Sequence, residues 1–142
     1  MVMETAVALC AVGAERVVSN ELRKLALPVI ETGFGRVRFR AETEGLYRAL
    51  MALRAADRVL LETAFFPGED FDALFEGTRA VPWEGYIPRG FALRVAKVRT
   101  NRSRLAALTS IQAVVHKAAA SRLCEAYKLN RLPEGGKTAE LR

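Results

Sequence analysis

The segment Arg36-Val37-Arg38-Phe39-Arg40 alternates strictly between cationic and apolar side chains. A period of two has one economical solution, a strand buried on one face and open on the other. Gly33-Phe34-Gly35 supplies a turn just before it, because glycine tolerates positive φ. Pro28–Thr32 then becomes the other arm of a hairpin. Val37 and Phe39 need a core, and the surrounding chain has the pieces for one. Thr5–Cys10 (TAVALC) reads as a strand. Ala14–Leu25 reads as a helix, with Val17, Val18, Leu22 and Leu25 at helical spacing and Pro28 after its end. Thr43–Ala55 reads as a second helix, with Thr43 as N-cap and Leu46, Tyr47, Leu50 and Leu53 on its apolar face. Val59–Phe65 reads as a fourth strand. Strand, helix, strand, strand, helix, strand is the ferredoxin-like order, with both helices on one face of the sheet. It occupies residues 1–66.

Pro67-Gly68 breaks the chain, and residues 67–142 form a second domain of α+β type. Asp70-Phe71-Asp72 opens a helix that runs to about Ala80, with acids at its positive end. Val81–Pro88, holding Trp83 and Tyr86, reads as a packed connector. Phe91–Val98 reads as a strand and Arg99–Leu108 as a basic loop. Thr109–Tyr127 is the longest helix. Thr109 through Gln112 fits a capping box, and Leu108, Ile111, Val115, Ala118 and Ala119 form its buried stripe. A loop over Leu129–Lys137 leads to a strand from Thr138. One long helix beside two short strands is an incomplete core. The sheet's next strand is therefore expected beyond Arg142, in a longer protein.

Several classes of function find no support. Apolar residues make up 51% of the 142, enough for packed cores, yet no apolar run approaches the roughly 20 residues of a membrane helix. Met1-Val2-Met3-Glu4-Thr5 does not read as a signal peptide. Cys10 and Cys124 lie far apart in apolar contexts and read as buried thiols of a reducing cytoplasm. A single histidine, His116, leaves no Cys/His metal cluster and no nucleophile–base constellation. Glu69, Asp70, Asp72 and Glu76 cluster at a helix start, where the helix dipole accounts for them. The expectation is no catalytic residue, no metal and no cofactor in this chain.

Charge is divided along the sequence. Residues 1–90 carry 11 Lys/Arg against 13 Asp/Glu, and residues 91–142 carry 11 against 3, a net of +8. No acid occurs between Glu84 and Glu125. A block of one sign usually faces an oppositely charged partner. Its densest part is Lys97-Val98-Arg99-Thr100-Asn101-Arg102-Ser103-Arg104, shortly before the long helix. Arginine grips phosphate through paired hydrogen bonds, and a helix start projects free N–H groups. The candidate nucleic-acid-binding residues are Lys97, Arg99, Thr100, Asn101, Arg102, Ser103 and Arg104, with Ser110, Gln112 and Lys117 on the helix. Arg122, Lys128 and Arg131 read as solubilising charges. Arg36, Arg38 and Arg40 read as an exposed strand face paired with glutamates of a neighbour. A ferredoxin-like small-anion-binding regulatory domain is the alternative outside nucleic-acid binding.

With these residues in view, the chain resembles the N-terminal part of THUMP-domain RNA methyltransferases. The resemblance is greatest to bacterial large-subunit rRNA guanine-N2 methyltransferases, also labelled adenine-specific DNA methylases. In the first part it rests on Gly13-Ala14-Glu15, Glu21-Leu22, Gly35-Arg36-Val37-Arg38-Phe39, Tyr47 and Leu53-Arg54-Ala55-Ala56-Asp57-Arg58. In the second part it rests on Ser103-Arg104-Leu105, Ser110-Ile111-Gln112 and Lys117-Ala118. The resemblance implies a ferredoxin-like domain followed by a THUMP domain that grips structured RNA, rRNA or tRNA, through the loop over Lys97–Ser103. It also implies a separate Rossmann-like domain after residue 142 that uses S-adenosylmethionine. The chain has His116-Lys117 where the family commonly has a basic pair. Related THUMP enzymes act on rRNA or tRNA, so the resemblance does not fix the substrate.

Overall fold

The computed structural model describes residues 3–100 and 103–142. They fall into two compact units, Met1–Thr63 and Ala64–Arg142.

The first unit has the expected order: β1 (Glu4–Cys10), α1 (Glu15–Lys24), β2 (Val29–Gly33), β3 (Arg36–Ala41), α2 (Thr43–Ala52) and β4 (Ala56–Leu61). The strands form one antiparallel sheet ordered β2-β3-β1-β4. Alternation sorts its faces as the sequence requires. Ala6, Ala8, Cys10, Val37, Phe39 and Ala41 point into the core, where α1 adds Val18 and Leu22. Arg38 faces the other way, and Glu31 (3.0 Å) and Glu62 (2.9 Å) hold its guanidinium. The expected pairing of this strand face with glutamates is therefore found at Arg38.

Two carboxylates tie the loops of this unit. Glu15 accepts from the backbone N–H groups of Gly13 and Gly35, both at 2.8 Å, joining the start of α1 to the β2–β3 turn. The Gly35 bond is the main reason its carboxyl lies below the usual carboxylate range. Glu21 accepts from the N–H groups of Arg54 and Ala55, where the chain leaves α2 for β4. Those capped N–H groups turn the chain directly into a strand. This explains why β4 begins at Ala56, three residues before its expected start.

The expected apolar face of α2 is right for Leu46 and Leu53, which pack against the core, and wrong for Tyr47 and Leu50. Tyr47 is 63% exposed and Leu50 58%, while Gly45 and Ala49 are buried. A Cβ on Gly45 would lie 2.9 Å from Leu27 Cδ2 and 3.1 Å from Ala41 Cβ. The helix approaches its neighbours through these small residues, with Leu46 and Leu53 beside them and Tyr47 and Leu50 turned outward. Its N-cap is Glu42 rather than Thr43, and no side chain caps it.

The second unit comprises α3 (Phe71–Ala80), a short 3-10 turn (Trp83–Gly85), β5 (Ala92–Val95), α4 (Leu108–Tyr127) and β6 (Thr138–Leu141). Asp70 caps α3 by accepting from Ala73 N–H at 2.7 Å. Strands β5 and β6 pair in parallel, with α4 as the crossover. Val81, Trp83, Ile87, Leu93, Ala119 and Leu123 form the core. The expected connector is packed, with Trp83 Nε1 donating to Thr78 O at 2.8 Å. The buried side chains of α4 are Ile111, Ala118, Ala119 and Leu123. Leu108, expected in that stripe, is 46% exposed.

Arg122 is not a solubilising charge. Its guanidinium donates twice to Glu84, at 3.0 and 2.7 Å, joining α4 to the 3-10 turn. Those bonds hold the Glu84 carboxyl down at about 2. A carboxyl depressed by folding stabilises fully above its ordinary value of 4.5, and that contribution is lost as pH falls towards about 2. Urea unfolding followed by fluorescence of Trp83, the single tryptophan, is expected to weaken over that window. Glu84→Gln should flatten this part of the pH dependence. An unchanged profile would mean the pair contributes no linkage.

Candidate nucleic-acid interface

The basic segment occupies the crossover between the end of β5 and the start of α4. The expected strand over Phe91–Val98 is shorter, ending at Val95, so Lys97 and Val98 belong to the loop. Lys97, Arg99, Thr100, Ser103 and Arg104 are all exposed. Asn101 and Arg102 lie outside the described residues. Ser103 Oγ accepts from Leu105 N–H at 3.1 Å, a local turn that shapes the loop's exit. Arg104 stands 4.0 Å from the Glu69 carboxylate, and both side chains are 82% exposed, so water screens this contact strongly.

The helix start differs from expectation in a way that bears on function. Ala107 is the N-cap and no side chain caps it. Thr109 and Gln112 form no capping box. Gln112 instead donates from Nε2 to the backbone carbonyl of Val95. One helical turn on, His116 Nε2 lies 3.3 Å from Leu93 O. The carbonyls of alternate β5 residues are thus met by side chains of α4, which secures the helix to the strand. This commitment makes Gln112 a packing residue and gives His116 a structural contact. Among the described residues no side chain caps the first turn of α4, which follows the exposed cations of the loop. Ser110 is exposed on that turn.

Lys117 is set apart from the loop. It is nine residues past Leu108, about 13 Å along the axis. There it lines an open groove of about 910 Å³ with Arg94, His116, Arg131 and Thr138. Arg94 is a further cation of this groove, outside the basic run that the sequence shows. Its position on a strand gave no local clue, because only the parallel pairing places it beside α4. Among the described residues, no group of three His, Cys, Asp or Glu is placed to hold a metal ion. No helix among them is long and apolar enough to cross a membrane.

Comparison with known proteins completes the description. Residues 5–60 match the family described as the RlmL ferredoxin-like domain. The first unit belongs to that family. The similarity extends past this RlmL-type domain. The chain is 34% identical over 119 residues to "Putative RNA methyltransferase YpsC" of Bacillus subtilis, covering 84% of this chain and 30% of that protein. It is 40% identical over 108 residues to "Ribosomal RNA large subunit methyltransferase K/L" of Syntrophotalea carbinolica, covering 72% of this chain and 15% of that one. Among solved structures it resembles SMU.472, "a putative methyltransferase complexed with SAH", with a TM-score of 0.87 and 35% identity over 97% of this chain and 37% of that chain. The chain therefore spans about a third or less of these relatives, and both of its units fall within the similarity to SMU.472 and YpsC.

Several motif residues of the first unit have structural roles. Glu15, Glu21, Gly35 and the segment from Arg54 are the residues that tie its loops.

Proposed function

We propose that this chain is the RNA-binding, non-catalytic part of a cytoplasmic RNA methyltransferase, acting on ribosomal RNA at guanine N2. In this reading the second unit is a THUMP-type subdomain that holds structured RNA. A Rossmann-like domain elsewhere in a longer protein binds S-adenosylmethionine and performs the transfer. The observation that carries the reading is the exposed cationic loop running into the uncapped start of α4. Lys97, Arg99 and Arg104 supply charge, and Thr100, Ser103 and Ser110 supply neutral donors. Arg99 and Arg104 present planar forks that match phosphate oxygens, and the α4 N–H groups extend the same surface. Contacts of this type fix the position of an RNA without reading its sequence. The names of the relatives and the SAH bound to SMU.472 support the methyltransferase context.

The test is binding of a structured rRNA fragment to the parent chain and to Lys97→Ala/Arg99→Ala/Arg104→Ala. The triple variant should bind more weakly across unrelated RNA sequences, with a shallower dependence on salt. A variant that binds as the parent does would remove the loop from the interface. Weak salt dependence together with tight binding of inorganic phosphate would favour a small-anion site.

A further inference from the structure

The open groove of about 910 Å³ in the second unit is built from α4, β5 and the chain leading into β6. Its floor is apolar. Ala92 and Leu93 are buried there, and Ala120 and Leu132 are half-buried. Its rim is polar and exposed, with Arg94 on β5 and Lys117 on α4. The parallel pairing sets Thr138 beside Ala92, so a hydroxyl joins the strand side of the groove. Ser121 and Asn130 add neutral hydrogen-bonding groups to the same lining.

The charged residues of the lining are Arg94, Lys117, Arg131 and Glu134, a surplus of two positive charges. Glu134 is committed to Arg131. Glu140 neighbours Arg94 in register, but its carboxylate holds Arg142 at 2.8 Å. Arg94 and Lys117 engage no acid among the described residues. Two unpaired cations above an apolar floor suit an amphipathic anion. A bare phosphate would use the cations and leave the floor in water. An apolar peptide would cover the floor and desolvate cations that it cannot pair. A nucleotide uses both, because its phosphate carries the charge and its base is a flat plate with polar edges. The groove also falls within the roughly 300–1,000 Å³ of small-ligand sites.

We infer that this groove binds one nucleoside monophosphate unit. Arg94 and Lys117 take the phosphate, and Ala92, Leu93 and Ala120 lie under the base. Ser121, Asn130 and Thr138 face its polar edges and its sugar. A free nucleotide and an unpaired nucleotide of an RNA present the same chemistry to these residues. The inference does not depend on the role of the loop that precedes α4.

Calorimetric titration of the whole chain with inorganic phosphate, ribose 5-phosphate and nucleoside monophosphates tests it. The monophosphates should bind about 10-fold tighter than inorganic phosphate, because only they cover the floor. Ribose 5-phosphate, which lacks the base, should bind much as phosphate does. Arg94→Gln/Lys117→Gln should weaken the monophosphates by about 10-fold or more. Arg23→Gln/Lys24→Gln removes equal charge from α1 and should leave their binding unchanged. Lys97→Ala/Arg99→Ala/Arg104→Ala should also leave it unchanged, which separates a failure here from a failure of the loop reading. Added short single-stranded RNA distinguishes the two sources. Displacement of the monophosphate assigns the groove to an unpaired nucleotide of RNA, and retention assigns it to a free nucleotide. Inorganic phosphate that binds as tightly as the monophosphates would overturn the inference. So would monophosphate affinity that survives Arg94→Gln/Lys117→Gln, an equal loss in the α1 or loop variant, or no monophosphate binding to the parent.

Discussion

Replacing Phe39 by alanine is expected to cost the first unit about 3–5 kcal/mol. Phe39 is the largest fully buried side chain and occupies the inward side of β3, next to the central strand β1. It packs with Ala6, Ala8, Val18 and Leu22, whose small or fixed side chains have little freedom to fill the void. A unit of this size has a stability of roughly 3–9 kcal/mol, so the substitution removes most of it. Hydrogen exchange should show loss of protection in β1 and β3 together. Retained protection across the β1–β3 pairing would mean that the core lies elsewhere.

The second large effect is expected at Trp83. It is 5% exposed and joins Val81, Ile87, Leu93 and Leu123 in the core of the second unit. Trp83→Ala should cost about 3–5 kcal/mol through the cavity it leaves. Trp83→Phe keeps most of the packing and removes the indole donor. Thr78 O then retains only the Val81 N–H at 3.2 Å, and the expected loss is near 1 kcal/mol. Urea midpoints followed by circular dichroism should rank the parent first, the Phe variant second and the Ala variant last. Equal midpoints for the two variants would assign the cost to the hydrogen bond rather than to packing.

These residues also show what was legible in the sequence. Val37 and Phe39 could be assigned to the core because a strand's alternation is a local property. The order of elements in the first unit followed from such patterns, and the structure has that order. The orientation of α2 was legible only in part: Leu46 and Leu53 face the core as expected, but Gly45 and Ala49, which make the close approach, carry almost no hydrophobic signal. Arg122 looked like a surface charge because its partner, Glu84, lies 38 residues away. Gln112 fits a capping box by spacing, yet its amide donates to the Val95 carbonyl, 17 residues away. Each miss involves a partner distant in sequence. The cationic loop, by contrast, was visible as a run of residue types, and the structure adds its exposure and the uncapped helix beside it.

The most direct measurement is the affinity of this 142-residue chain for a structured rRNA fragment between 50 and 200 mM salt. Three phosphate contacts from the loop alone predict a slope of about −2 to −2.7, a fall in affinity of roughly 20- to 40-fold over that range. The account predicts such a fall, made much shallower by Lys97→Ala/Arg99→Ala/Arg104→Ala. Affinity that is independent of salt, or a triple variant with the parent's slope, would contradict it.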